Sequence, residues 1–127
     1  MAAQTEKMSD RYEKEPGILS EYMDYLADNH IVSKQTAYNY YMQLRLLAKF
    51  LKHRRNNMDC LPFEVEMNSV SREEMMAITE DEWYDFLDYC QFTQRDTLGT
   101  LAVRISAAKK FFDWLGKDMD VVPPAHI

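Results

Sequence analysis

The sequence predicts an all-α fold, a compact bundle of four to five helices built from two helical hairpins. Two observations carry this. Apolar residues recur at helical spacing in four segments, and capping residues stand where those segments begin or end. Composition agrees. The chain has 127 residues, 46% apolar and 13% aromatic, with 3 Gly and 4 Pro. That is room for about one domain with one core, and it excludes a disordered, collagen-like or Pro-rich chain.

The first 16 residues are polar and aperiodic and read as a flexible N-terminal tail. From Gly17 the pattern turns helical, with Ile18, Leu19, Tyr22, Met23 and Leu26 on one stripe and Asn29 as the stop. His30-Ile31-Val32 is a short apolar link, and Ser33 is a good N-cap for a second helix. That helix should run to about Lys52 and end in His53-Arg54-Arg55, where cations favour a helix C-terminus. Asn56 to Met67 reads as a connecting loop. Two capping boxes follow: Ser71 with Glu74, before a turn of helix, and Thr79 with Glu82, before Trp83, Phe86, Leu87 and Cys90. A last helix starts near Thr97 and reaches Leu115, with Gly116 as its C′ residue. Residues 17–117 thus form the domain, and residues 118–127, with Val122-Pro123-Pro124, read as the start of an extended linker. The second and last helices also form a weak repeat: Thr36, Tyr40, Leu44, Leu47, Phe50 and Leu51 match Thr97, Leu101, Ile105, Ala108, Phe111 and Phe112 at a constant offset of 61.

The net charge of −6 hides a segregation. Residues 30–55 carry six cations and no acid, residues 62–92 carry nine acids against Arg72, and residues 93–117 are again net basic. Charge acts locally, within a Debye length of ~8–10 Å, so the sign of each stretch matters more than the total. Much of the acidity belongs to first helical turns, where it complements the macrodipole. Asp81, Asp85 and Asp88 share a face that reads as solvated rather than as a metal or acid/base site.

On the second helix, Tyr40, Leu44, Leu47 and Leu51 form a core stripe. Lys34, Tyr38, Arg45, Lys49 and Lys52 lie nearly opposite. Such a stripe suits a phosphate backbone, whose counterions the cations release, and Ser33, Gln35 and Thr36 add donors at the helix start. On the last helix Leu98, Leu101, Ile105, Ala108 and Phe112 form the core stripe. The other side carries Gly99, Ala102, Ser106, Lys109, Lys110 and Asp113, small residues beside lysines that let a phosphate approach, and Arg95 precedes the helix. Arg104, at the boundary, suits packing and ligand contact equally. Both basic faces also fit a plainly solvated surface.

Several classes find no support. There is no Gly-rich phosphate loop or nucleophile elbow, and His30, His53 and His126 lack ligand spacing. The sequence implies no cofactor and no metal. Cys60 and Cys90 are the only cysteines, no Cys-x-x-Cys exists, and no apolar run approaches the ~18 residues of a membrane span. MAAQTEKMSD has no apolar core after a basic start, so a reduced intracellular location is expected. These residues describe a binding module rather than an enzyme.

The run Ser33-Lys34-Gln35-Thr36, then Tyr40, Leu44, Phe50 and Leu51, resembles the first signature of the SAM-like core-binding domain of tyrosine recombinases, the phage integrases. Thr97 to Leu115, with Arg104-Ile105-Ser106-Ala107-Ala108-Lys109-Lys110-Phe111-Phe112, is similar to the second, and Pro123-Pro124-Ala125 sits where family members enter their linker. The resemblance implies one half of a clamp around duplex DNA, with a catalytic domain beyond the linker as the other half and further recombinase protomers as partners. It implies an intracellular protein of bacterial, phage or mobile-element origin. It also implies that the second and last helices face DNA through Lys34, Gln35, Thr36, Tyr38, Arg45, Lys49, Lys52, Arg95, Ser106, Lys109 and Lys110. Gln35, Tyr38 and Gln94 are in addition candidates for base edges. No His has Arg three positions on, so no catalytic residue is assigned. The competing expectation is a helical protein–protein module that self-associates through its acidic and basic faces.

Overall fold

The computed structural model of the chain describes residues 17–65 and 70–117. The expected tail, the Pro123-Pro124 linker and the end of the central loop lie outside the described residues. The described residues form five α-helices and no strand: α1 (Ile18–Asp28), α2 (Lys34–Asn56), α3 (Arg72–Met76), α4 (Glu80–Asp88) and α5 (Leu98–Leu115). A 3₁₀ turn, Pro62–Glu64, interrupts the expected loop, and α4 runs on into a π-helical turn, Tyr89–Thr93. The all-α bundle is as the sequence predicts.

Local chemistry sets the helix ends. The hydroxyls of Ser33, Ser71, Thr79 and Thr97 accept the N–H groups of Thr36, Glu74, Glu82 and Thr100, all at 3.1 Å. Glu74 and Glu82 return the favour to the N–H groups of Ser71 and Thr79, which closes both capping boxes. Gly116 ends α5 in the left-handed conformation, and Arg72 adds a cation there by donating to the Leu115 carbonyl at 2.8 Å. The second helix reaches Asn56, one turn beyond the expected Lys52, because the side chain of Asn56 caps the carbonyl of Lys52 and Asn57 takes the left-handed turn.

The core forms where the helices meet α2, whose Tyr41, Leu44, Leu47, Ala48 and Leu51 are buried. Phe50 receives Phe86 of α4 edge-on at 5.5 Å, and Phe111 of α5 receives Tyr22 of α1 in the same manner at 5.2 Å. Phe50 and Phe111 are equivalent in the 61-residue repeat, so the two hairpins lock into each other reciprocally. Two core expectations are corrected. Tyr41, not Tyr40, faces the core of α2: the two differ by ~100° around the helix, and Tyr40 turns towards α5. Leu98 is 62% exposed, since it is the first residue of α5 and the core does not reach that turn.

Gly17 is fixed by position. Its φ is 148°, and the next N–H donates to the Val70 carbonyl at 2.9 Å, drawing the two strands of backbone together. A Cβ at residue 17 would stand 2.3 Å from the Val70 oxygen. Gly17→Ala is therefore expected to destabilise the domain by about 1–3 kcal/mol. Urea denaturation of the two proteins measures this directly, and Gly116→Ala, with open space around it, should cost less.

Candidate nucleic-acid interface

Two side-chain bridges show how the two basic helices lie. Lys110 Nζ donates to the Tyr40 hydroxyl at 3.0 Å and stands 5.4 Å over that ring. Arg104 donates to Gln43 Oε1 at 2.6 Å. Numbers rise along α2 as they fall along α5, so the helices are antiparallel. Arg104 also grips Asp96 with two nitrogens, at 2.5 and 3.3 Å, and the two side chains are 12% and 8% exposed. Arg104 thus serves packing. The Cys90 thiol is pushed up to about 12, by burial first and by the nearby Asp96 carboxylate.

Among the expected contact residues, Lys34, Gln35, Arg95, Ser106, Lys109 and Lys110 are exposed, and Thr36, Tyr38, Arg45, Lys49 and Lys52 are half-buried. The start of α2 is already internally satisfied, since Thr36 gives its N–H to the Ser33 hydroxyl and accepts from that hydroxyl at its own, and Gln35 bonds to Asn39. Arg45 and Lys49 each interact with a neighbouring group. Arg95 takes a left-handed φ of 57° in the turn before α5. Lys34, Arg95, Lys109 and Lys110 pair with no acid among the described residues.

The C-terminal end of α2 behaves differently. Lys52 pairs with Glu74 at 3.1 Å, Arg54 with Asp85, and Arg55 holds both oxygens of Glu82 at 3.0 Å while donating to the Glu74 carbonyl at 2.8 Å. Most of the cationic cluster that ends α2 is thereby neutralised within the molecule by acids of α3 and α4. Burial would raise the Glu82 carboxyl, but the Arg55 guanidinium and the Thr79 N–H outweigh it and hold it below its ordinary 4.5. Glu74 is lowered likewise, against burial, by Ser71 and Lys52.

An open cleft of about 440 Å³ lies between α1, the start of α2 and the end of α5, walled by Tyr22, Tyr25, Tyr40 and Trp114, with Lys110 and Asp113 among its lining residues. Burial, with Tyr40, Tyr25 and Asp113 nearby, raises the Tyr22 hydroxyl to about 12. No described helix is long and apolar enough to cross a membrane.

No family model matches the chain, and no solved structure matches it. Over 111 residues, 86% of its length, it is 25% identical to the tyrosine recombinase XerC of Caldanaerobacter subterraneus subsp. tengcongensis. The chain is distantly similar to a tyrosine recombinase. It spans 31% of the length of that relative.

The residues that sequence reasoning missed are Gln43 and Asp96, the partners of Arg104, and Tyr40 as the partner of Lys110. One signal was available: Gln43 and Arg104 are 61 positions apart, the repeat offset itself.

The lowered carboxyls have a pH signature. Glu74 and Glu82 bind protons more weakly folded than unfolded, so their contribution is complete above the ordinary value of 4.5 and is lost as pH falls through the lowered folded values. Glu82→Gln should be less stable at neutral pH and should lose less stability between about pH 5 and about pH 3. Urea denaturation at a series of pH values reads both effects.

Proposed function

We propose that this chain is the DNA-gripping, non-catalytic domain of a tyrosine recombinase, and that it holds duplex DNA through α2 and α5 while a separate domain cleaves and joins strands. One observation carries the reading. The cations divide in two: those ending α2 are spent on α3 and α4, whereas Lys34, Arg95, Lys109 and Lys110, on or beside the antiparallel pair α2–α5, keep no acidic partner among the described residues. A set of unpaired cations on adjacent rigid helices neutralises phosphates and releases their counterions. The 25% identity to a tyrosine recombinase over most of this chain, with under a third of that relative covered, supports a partial, non-catalytic role. Further recombinase protomers as partners belong to the same proposal.

Against the alternative of self-association through acidic and basic faces stands one observation: Glu74, Glu82 and Asp85 are already held by Lys52, Arg55 and Arg54 of the same chain. Acids held in this way are poor partners for a second copy.

An amide-resolved NMR titration with a generic duplex tests the proposal. Shifts should concentrate in residues 33–52 and 95–110 and fade from low to physiological salt. Lys109→Gln with Lys110→Gln should weaken binding and lower the salt slope by about two, one per lost phosphate contact. Absence of shifts at low salt, or shifts centred on residues 73–90, overturns it.

A further inference from the structure

Arg104 is the side chain that spans the two helices of the proposed interface from inside. It joins three pieces of chain: Asp96 in the turn before α5, its own position on α5, and Gln43 on α2. Three features separate this bridge from an ordinary surface pair. The ion pair with Asp96 is nearly buried, with side chains 12% and 8% exposed, and the Asp96 backbone is itself held, its N–H donating to the Cys90 carbonyl at 3.0 Å. The bidentate grip fixes the plane of the guanidinium and aims its remaining nitrogen at Gln43. Finally, Gln43 and Arg104 occupy equivalent positions of the 61-residue repeat, while Phe50 and Phe111, also equivalent, receive rings reciprocally from the opposite hairpins. Gln43 and Arg104 lie within the middle turns of α2 (Lys34–Asn56) and α5 (Leu98–Leu115), so the bridge sits inside the α2–α5 seam.

The position has a consequence for the cations. Lys49 and Lys110 are themselves equivalent at the same offset, and each lies six residues, ~9 Å of helix rise, beyond the bridge on its own helix. Because one of these charges is carried by α2 and the other by α5, the spacing and tilt of the two helices decide how far apart they stand. The same geometry carries Lys34, Arg95 and Lys109.

We propose that Arg104 is a positioning residue for the DNA interface: bonded to Asp96 and Gln43, it sets the distance and crossing of α2 and α5, and so the span between the cations that meet the two phosphate strands of a duplex. Arg104 itself meets no phosphate. The inference rests on the DNA reading above.

The test uses the full chain and Gln43→Met, which removes the bridge but leaves the buried Arg104–Asp96 pair intact and the fold secure; Arg104→Met would strand the Asp96 carboxylate. Three quantities are read: affinity for a duplex by fluorescence anisotropy, its salt slope, and the α2–α5 distance from spin labels at Asn39→Cys and Ala102→Cys in a Cys60→Ser background, Cys90 being buried. Gln43→Met is expected to weaken binding about five- to tenfold, with an unchanged salt slope and a shifted or broadened label distance. A slope reduced by about one when the Arg104 charge is removed together with its partner's, in Arg104→Gln with Asp96→Asn, assigns the group to direct phosphate contact and overturns the inference. Unaltered affinity with only a lower melting temperature reduces the bridge to packing and overturns it as well. A wild-type chain with no salt-dependent affinity for duplex defeats the DNA reading itself, which separates that failure from the other two.

Discussion

Helix α2 touches every other part of the bundle, and the rest of the structure depends on how its circumference is divided. With 23 residues it is about 34 Å long, enough for α1 and α5 to pack along it and for α3 and α4 to seat against its last turns. Tyr41, Leu44, Leu47, Ala48 and Leu51 supply the apolar sector, and each is at most 2% exposed. The remaining sectors are polar, and different neighbours claim them. Tyr40 and Gln43 turn to α5 through Lys110 and Arg104, and Lys52, Arg54 and Arg55 turn to the acids of α3 and α4. A helix packed on so many sides cannot rotate without breaking several of these contacts together, which is what makes it a rigid platform for charge.

That division also places the acids of the chain against part of its cationic cluster. The acids cluster in the first turns of α3 and α4, where the orphan N–H groups and the helix dipole favour them. The same carboxylates reach back to the cations that end α2. Glu82 does three things at once: it caps Thr79, binds Arg55 through both oxygens and does so while almost buried. Desolvation of such a group is costly unless its lone pairs are filled, and here they are. Glu74, Glu82 and Asp85 are thus spent at one end of the bundle, whereas Lys34, Lys109 and Lys110 keep no acidic partner among the described residues.

Helix limits and caps were legible because they depend on groups within four residues of one another: Ser33 with Thr36, Ser71 with Glu74, Thr79 with Glu82, Thr97 with Thr100. The π-helical turn after α4 was not, since nothing in Tyr89–Thr93 marks an extra residue per turn; Gln94 closes it with its N–H on the Tyr89 carbonyl at 3.0 Å and its side chain on the Tyr89 hydroxyl at 2.6 Å. Of the candidate interface, the residue types and their two helices could be read directly. Their state could not. Lys52 and Lys110 look alike on a helical wheel, yet one is consumed by Glu74 and the other stands over Tyr40.

The sequence by itself determined the all-α class, the approximate start and end of the long helices, the 61-residue repeat and the segregation of charge, because each follows from local hydrogen bonding and the ~100° step of a helix. Only the tertiary structure decided that Tyr41 rather than Tyr40 enters the core, that Leu98 stays in water, that Arg104 binds Gln43 and Asp96, and that Lys52, Arg54 and Arg55 are spent on acids of α3 and α4. The reason is physical: the partners that decide these outcomes lie up to 70 residues away along the chain. A side chain's role is set by which groups the fold brings within hydrogen-bond reach, and chain-local periodicity does not carry that information.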